Sequence, residues 1–157
     1  MDAQSEKLLA QMIRNTRLAS LGTLREGAPR VSMVAFVPVE DFSAFYIHVS
    51  RLAQHTVDMQ KDKQVGFLIA ETDDGRADPQ TLGRVSIRAS AEMIQNGEPG
   101  YTPLKELYLA RFPEAEQFFK LADFSFWRIK PKGGRFVAGF AKAYNITVET
   151  LQKVSER

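Results

Sequence analysis

The chemistry-bearing residues of this chain gather in the run from Phe45 to Asp62. An apolar stretch, Phe45-Tyr46-Ile47-His48-Val49, gives way to Ser50-Arg51, and His55 and Thr56 follow within one helical turn of each other. A strand that ends in a hydroxyl and a guanidinium and then enters a helix suits a bound phosphate. The first N–H groups of the helix lack internal partners, the macrodipole is positive at that end, and Ser50 suits an N-cap. The expected phosphate donors are therefore Ser50, Arg51, His55 and Thr56. A plain helix cap on a surface would use the same residues, so the surroundings must decide between the two.

His48 and His55 are the only imidazoles in the chain. A histidine inside an apolar strand, as at His48, reads first as a core residue bonded to a backbone carbonyl. His55 stands beside the phosphate position and reads equally as ligand or as helix residue. Trp127 reads as core or interface, and Asp123 as the end of a helical stretch before a strand.

With 157 residues, 44 % of them hydrophobic, the chain is expected to form one domain over residues 1–157 with a core of its own. No stretch is apolar enough to span a bilayer, so no membrane partner is expected. The balance of 21 basic against 19 acidic residues gives +2 at pH 7, too small a charge for a general nucleic-acid binder. The absence of cysteine excludes disulfides, a thiolate nucleophile and Cys-ligated zinc. Glu6, Lys7 and Gln11 interrupt the N-terminal leucines, so no signal-peptide core forms and a cytoplasmic location is expected.

These residues need elements to position them. Leu8, Leu9, Met12 and Ile13 share a helical face, which predicts an N-terminal helix over 1–16. Strands follow over 18–24 and 30–39, joined as a hairpin through Glu26-Gly27-Ala28-Pro29. After the Phe45 strand and its helix come strands over 65–70 and 84–94, separated by a polar loop over 71–81. The 84–94 strand alternates Val85, Ile87, Ala89, Ala91 and Met93 against Ser86, Arg88, Ser90 and Glu92, the pattern of a half-buried antiparallel strand. Helical periodicity returns over 101–122. Two strands, 124–129 and 135–143, are expected to close the sheet around a Pro131-Lys132-Gly133-Gly134 turn, and a frayed helix behind Thr147 occupies the tail, 147–157. Six or seven antiparallel strands with peripheral helices and no βαβ alternation predict a mainly β, Greek-key split β-barrel.

Three stretches carry a resemblance in their order and spacing. They are Arg30-Val31-Ser32-Met33-Val34, Ser50-Arg51 with His55-Thr56, and Arg84-Val85-Ser86-Ile87. The whole chain resembles the FMN-binding split barrels of the pyridoxamine 5′-phosphate oxidase-like superfamily. The pair Ala122–Arg128 and Phe136–Tyr144 is similar to the closing hairpin of its haem-utilisation branch. The resemblance implies a homodimer with FMN in clefts built from both chains, acting as a flavin-dependent oxidoreductase on a small molecule. The phosphate would take Ser50, Arg51, His55 and Thr56 next to Val49. The ring would lie on Arg30, Val31, Ser32 and Met33, and Arg84 would stand where the oxidases carry a flavin-contacting glutamine. Haem binding or degradation is the alternative, as is a flavin-binding module without turnover. Ala35 occupies the place of the oxidases' phosphate-binding lysine, and no Arg-x-His follows Arg135, which argues against true pyridoxamine phosphate oxidase activity. No histidine follows His55 either, so the C-terminal iron ligand of the haem-degrading branch is missing and flavin is favoured over haem.

Overall fold

A computed structural model describes residues 1–157. The N-terminal helix α1, Ala3–Asn15, starts where Asp2 accepts a hydrogen bond from the Ser5 amide at 2.9 Å. It buries Leu9, Met12 and Ile13. Strands β1, Leu18–Arg25, and β2, Ala28–Ala35, form a hairpin whose two turn residues, Glu26 and Gly27, both have positive φ. That is the twist a tight antiparallel turn demands. The expected second strand breaks at Phe36, and Val37–Pro38 forms a short β3.

Strand β4, Phe45–Ser50, leads into α2, Gln54–Lys61. Strand β5, Gln64–Ala70, reaches β6, Arg84–Ile94, through a loop that closes with a 3₁₀ turn at Pro79–Thr81. Helix α3, Tyr101–Arg111, and a 3₁₀ stretch over Pro113–Lys120 form the helical insertion. The sheet runs β2-β1-β5-β6-β7-β4-β3, with the last strand, β8, paired to β7. Every pairing is antiparallel, and the sheet curls into the expected split barrel. Phe36, Phe45 and Phe67 pack edge-on and stacked at its centre.

The Pro131–Gly134 segment is not a turn. Strand β7 runs unbroken over Phe124–Val137, and a register shift against Arg88 and Ala89 absorbs the irregularity. A Cβ on Gly134 would come within 2.1 Å of the Ser86 carbonyl oxygen, and Gly133 has φ +135°. The glycines therefore serve a bulge within a strand rather than a reversal. The chain reverses later, at Gly139 and Ala141, both with positive φ, before β8, Ala143–Ile146.

The tail is a docked helix rather than a frayed one. Helix α4, Val148–Val154, has a reciprocal Thr147–Thr150 cap and buries Leu151 and Val154. Buried Glu6 of α1 accepts from Lys153 at 3.1 Å and from the Arg157 Nε at 2.8 Å, tying the two ends of the chain together.

Candidate functional site

The strand-to-helix corner after β4 is clasped to the insertion. Ser50 Oγ donates to Asp123 Oδ2 at 2.7 Å and accepts from the Leu52 amide at 3.1 Å. The Arg51 amide donates to the Asp123 carbonyl at 2.6 Å, and its guanidinium donates to the Ala122 carbonyl at 3.1 Å. Thr56 is fully buried and donates to the Ser50 carbonyl at 2.7 Å, and Val49 lies in the core. The N-cap of α2 is Ala53, without a side-chain bond, so Ser50 does not cap this helix. A turn closed by the Ala53 amide on the Ser50 carbonyl at 3.2 Å separates Ser50 from the helix, and the Ser50 hydroxyl reaches Asp123 instead.

A polar cluster bridges α2 to the β1–β2 hairpin. Ser32 Oγ lies 3.1 Å from His55 Nδ1, while His55 Nε2 is buried without a partner. Burial holds the His55 pKa below its ordinary value, against an opposing pull from Asp58. The Arg30 guanidinium donates to the Gln54 side chain. Asp58, buried, accepts from Thr23 Oγ1 at 2.8 Å and from Arg25 Nε at 2.7 Å, with Arg30 Nε 4.0 Å away. Burial pushes the Asp58 pKa up, and the Thr23 and Arg25 hydrogen bonds outweigh it, leaving the carboxyl below its usual range. Arg30, Ser32 and His55 are thus brought together, facing α2.

Val31 and Met33 point the other way, onto the outer face of the sheet, where they are 78 % and 68 % exposed. Register places Val31 opposite Gly22, Gly22 opposite Gly66, and Gly66 opposite Arg88. The neighbouring row reads Met33, Ser20, Leu68 and Ser86. Two facing glycines strip the middle of the first row of side chains, so the backbone itself forms the floor there. A Cβ at Gly66 would meet nothing within 4 Å, and the Arg88 guanidinium lies over Gly133 at the floor's far edge. A planar ring system fits such a surface. Sequence reasoning missed Gly22, Gly66 and Arg88. A glycine inside a strand signals close approach of another group, but only the strand register brings these two together.

Arg84 lies at the other end of β6, and its guanidinium donates to the Gln80 and Leu82 carbonyls at 2.9 and 3.1 Å. His48 does not bond a backbone carbonyl. It lies beneath the insertion, stacked on Phe119 with centroids 4.0 Å apart. Trp127 is a core residue, with its indole N–H unpartnered.

The sequence profile of the family described as pyridoxamine 5′-phosphate oxidase matches residues 5–138. The chain belongs to this family. Among its relatives are the non-canonical heme oxygenase HOZ of Arabidopsis thaliana, a chloroplastic protein, and the heme oxygenase HutZ of Vibrio cholerae. HOZ is 34 % identical over 127 residues, covering 81 % of this chain and 37 % of that protein. HutZ is 25 % identical over 127 residues, covering 80 % of this chain and 71 % of that one. The chain therefore spans little more than a third of the Arabidopsis relative. A heme-binding protein from Mycobacterium smegmatis superposes with a TM-score of 0.83 at 22 % identity, over 98 % of this chain and 62 % of that one.

Within the family, these relatives put the chain in the haem-utilisation branch that its closing residues resemble. The resemblance rests on β7 and β8, the strands that carry Ala122–Arg128 into the Asp123 clasp and Phe136–Tyr144 onto α1. Tyr144 Oη donates to the Asp2 carboxylate at 2.8 Å, which joins this closing hairpin to the first cap of the chain. No helix is long and apolar enough to cross a membrane.

Proposed function

We propose that the chain is a haem-binding protein whose macrocycle lies on the outer sheet face, between the Val31–Gly22–Gly66–Arg88 row and a second copy of the chain. The observation that carries this reading is the glycine-floored row itself, apolar at Val31 and cationic at Arg88. Val31, Met33 and Leu68 would cover the ring, and Arg88 would pair with a propionate carboxylate. Met33 brings a thioether, one of the side-chain groups that ligate haem iron, onto the floor itself. The bound iron–porphyrin would supply the redox chemistry, while the chain's own residues bind the ring and limit water on one side of it.

Kinship with two proteins named as heme oxygenases supports haem over flavin. Two of the donors expected for a flavin phosphate support the same choice: the Ser50 and Thr56 hydroxyls donate inside the chain. The partner copy follows from the apolar side chains left on the face, Leu18, Val31, Met33 and Leu68, which form a patch that a symmetric dimer would bury.

The test is titration of the purified chain with haemin, followed in the Soret band, alongside FMN followed by fluorescence quenching. Stoichiometric haemin binding that excess FMN does not displace is the expected result. Stoichiometric FMN binding that haemin does not disturb would refute the proposal and restore the flavin reading. Oxidative opening of the ring, the reaction for which the two relatives are named, is the activity to assay on the loaded protein.

A further inference from the structure

A second site lies away from the glycine floor, on the flank where the helical insertion covers the ends of β4, β6 and β7. It is a cavity of about 380 Å³, within the range of small-molecule sites, and none of Val31, Met33, Gly22, Gly66 or Arg88 lines it. Tyr101, Phe119 and Phe124 give it aromatic walls. Its charged lining residues are Arg51 and Lys120, with no carboxylate among them.

His48 marks it as more than a gap in packing. The side chain keeps only 9 % of its surface exposed, stacks face to face on Phe119, and packs within 4.7 Å of the Phe126 ring centroid. It lines the cavity and neither ring nitrogen has a hydrogen-bond partner in the protein. Burial, with a smaller push from Lys105, lowers its pKa to about 4, so at neutral pH it offers one donor and one acceptor without charge. Ser125 Oγ, also in the lining, is buried and unpartnered. Buried polar atoms normally find partners, and the Ser125 hydroxyl, on a residue lining the same cavity as His48, has none in the protein.

We propose that this cavity binds a small planar aromatic carboxylate, its ring against the aromatic walls, its carboxylate on Arg51 and Lys120, and a polar ring substituent on His48. Arg51 is already held at the rim by its bond to the Ala122 carbonyl, which fixes its remaining donors. The inference does not rest on haem binding, because the two sites share no residue.

The experiment uses the full chain and exploits its two histidines, whose imidazole Cε1–H signals are separately assignable by NMR. The probe is 3-hydroxy-2-naphthoate, with 2-naphthol as the uncharged control. The expected result is a saturable shift of the His48 signal with His55 unmoved, and at least tenfold weaker binding of the naphthol. Lys120 is exposed, so Lys120→Glu should fold normally and weaken the naphthoate at least tenfold while leaving the naphthol unchanged. An unmoved His48 signal at millimolar naphthoate would overturn the proposal, as would equal effects on both probes. Displacement of the naphthoate by one equivalent of haemin would also overturn it, by showing the cavity to be part of the haem site.

Discussion

Replacing Gly66 by Val tests the glycine floor without disturbing the fold. A Cβ at this position meets nothing within 4 Å, so the side chain enters open space above the sheet. Glycine is a poor strand residue, and replacing it should stabilise the chain by about 0.5–1 kcal/mol, or raise Tm by roughly 1–4 °C at this size. Binding should move the opposite way. A ring face covering ~160 Å² of the floor contributes about 4 kcal/mol at ~25 cal/mol per Å². The isopropyl group would lift the ring by about 1 Å, which forfeits a quarter to a half of the contact energy. The loss is ~1–2 kcal/mol, a factor of about 5–30 in Kd. Soret titration of both proteins measures the affinity, and thermal unfolding followed by circular dichroism measures the stability. A Gly66→Val protein with undiminished Tm and unchanged haemin affinity would refute the floor as the ring's seat.

Met33→Leu keeps volume and apolarity, so haemin affinity should change by less than about threefold, whereas the Soret position and spin-state bands should shift if the thioether ligates iron. Asp58→Ala strands Arg25, itself a third exposed, and should cost about 2–3 kcal/mol in urea unfolding at pH 7. Because the folded carboxyl sits below its usual range, its contribution is present above the unfolded pKa and is lost as pH falls through the folded one, so the gap between wild type and variant should close in acid. His48 titrates near 4 in the fold against an ordinary 6.5, so the unfolded chain holds more protons between those values and stability should climb with pH across that window. His48→Phe should remove that part of the slope, as read by urea unfolding between pH 4.5 and 7.5.

Much of the fold was legible because period-2 alternation and turn residues carry it. The 84–94 strand matches β6 residue for residue, and Glu26-Gly27 closes the first hairpin as its type predicts. Pro131-Lys132-Gly133-Gly134 misled for a physical reason. A bulge and a turn both need positive φ and a missing Cβ, and only the close approach of Ser86 shows which one these glycines serve. The tail helix read as frayed because its anchor is an ion-pair contact with Glu6, about 150 residues away in sequence, and no local pattern reports that.

The candidate site was legible in composition and illegible in direction. Arg30–Met33 lie on a strand as expected, but alternation splits them: Arg30 and Ser32 turn to α2, Val31 and Met33 to the open face. At the Ser50-Arg51 motif the sequence shows the donors but not which of them the fold already engages. Asp123, 73 residues on, takes the Ser50 hydroxyl, and the Ala122 carbonyl takes one N–H of the Arg51 guanidinium. The corner therefore couples β4 to the insertion that roofs His48. Asp123→Ala would release Ser50 and loosen that roof, so it should raise the accessibility of the flank cavity while leaving the glycine floor, which shares no residue with it, unchanged.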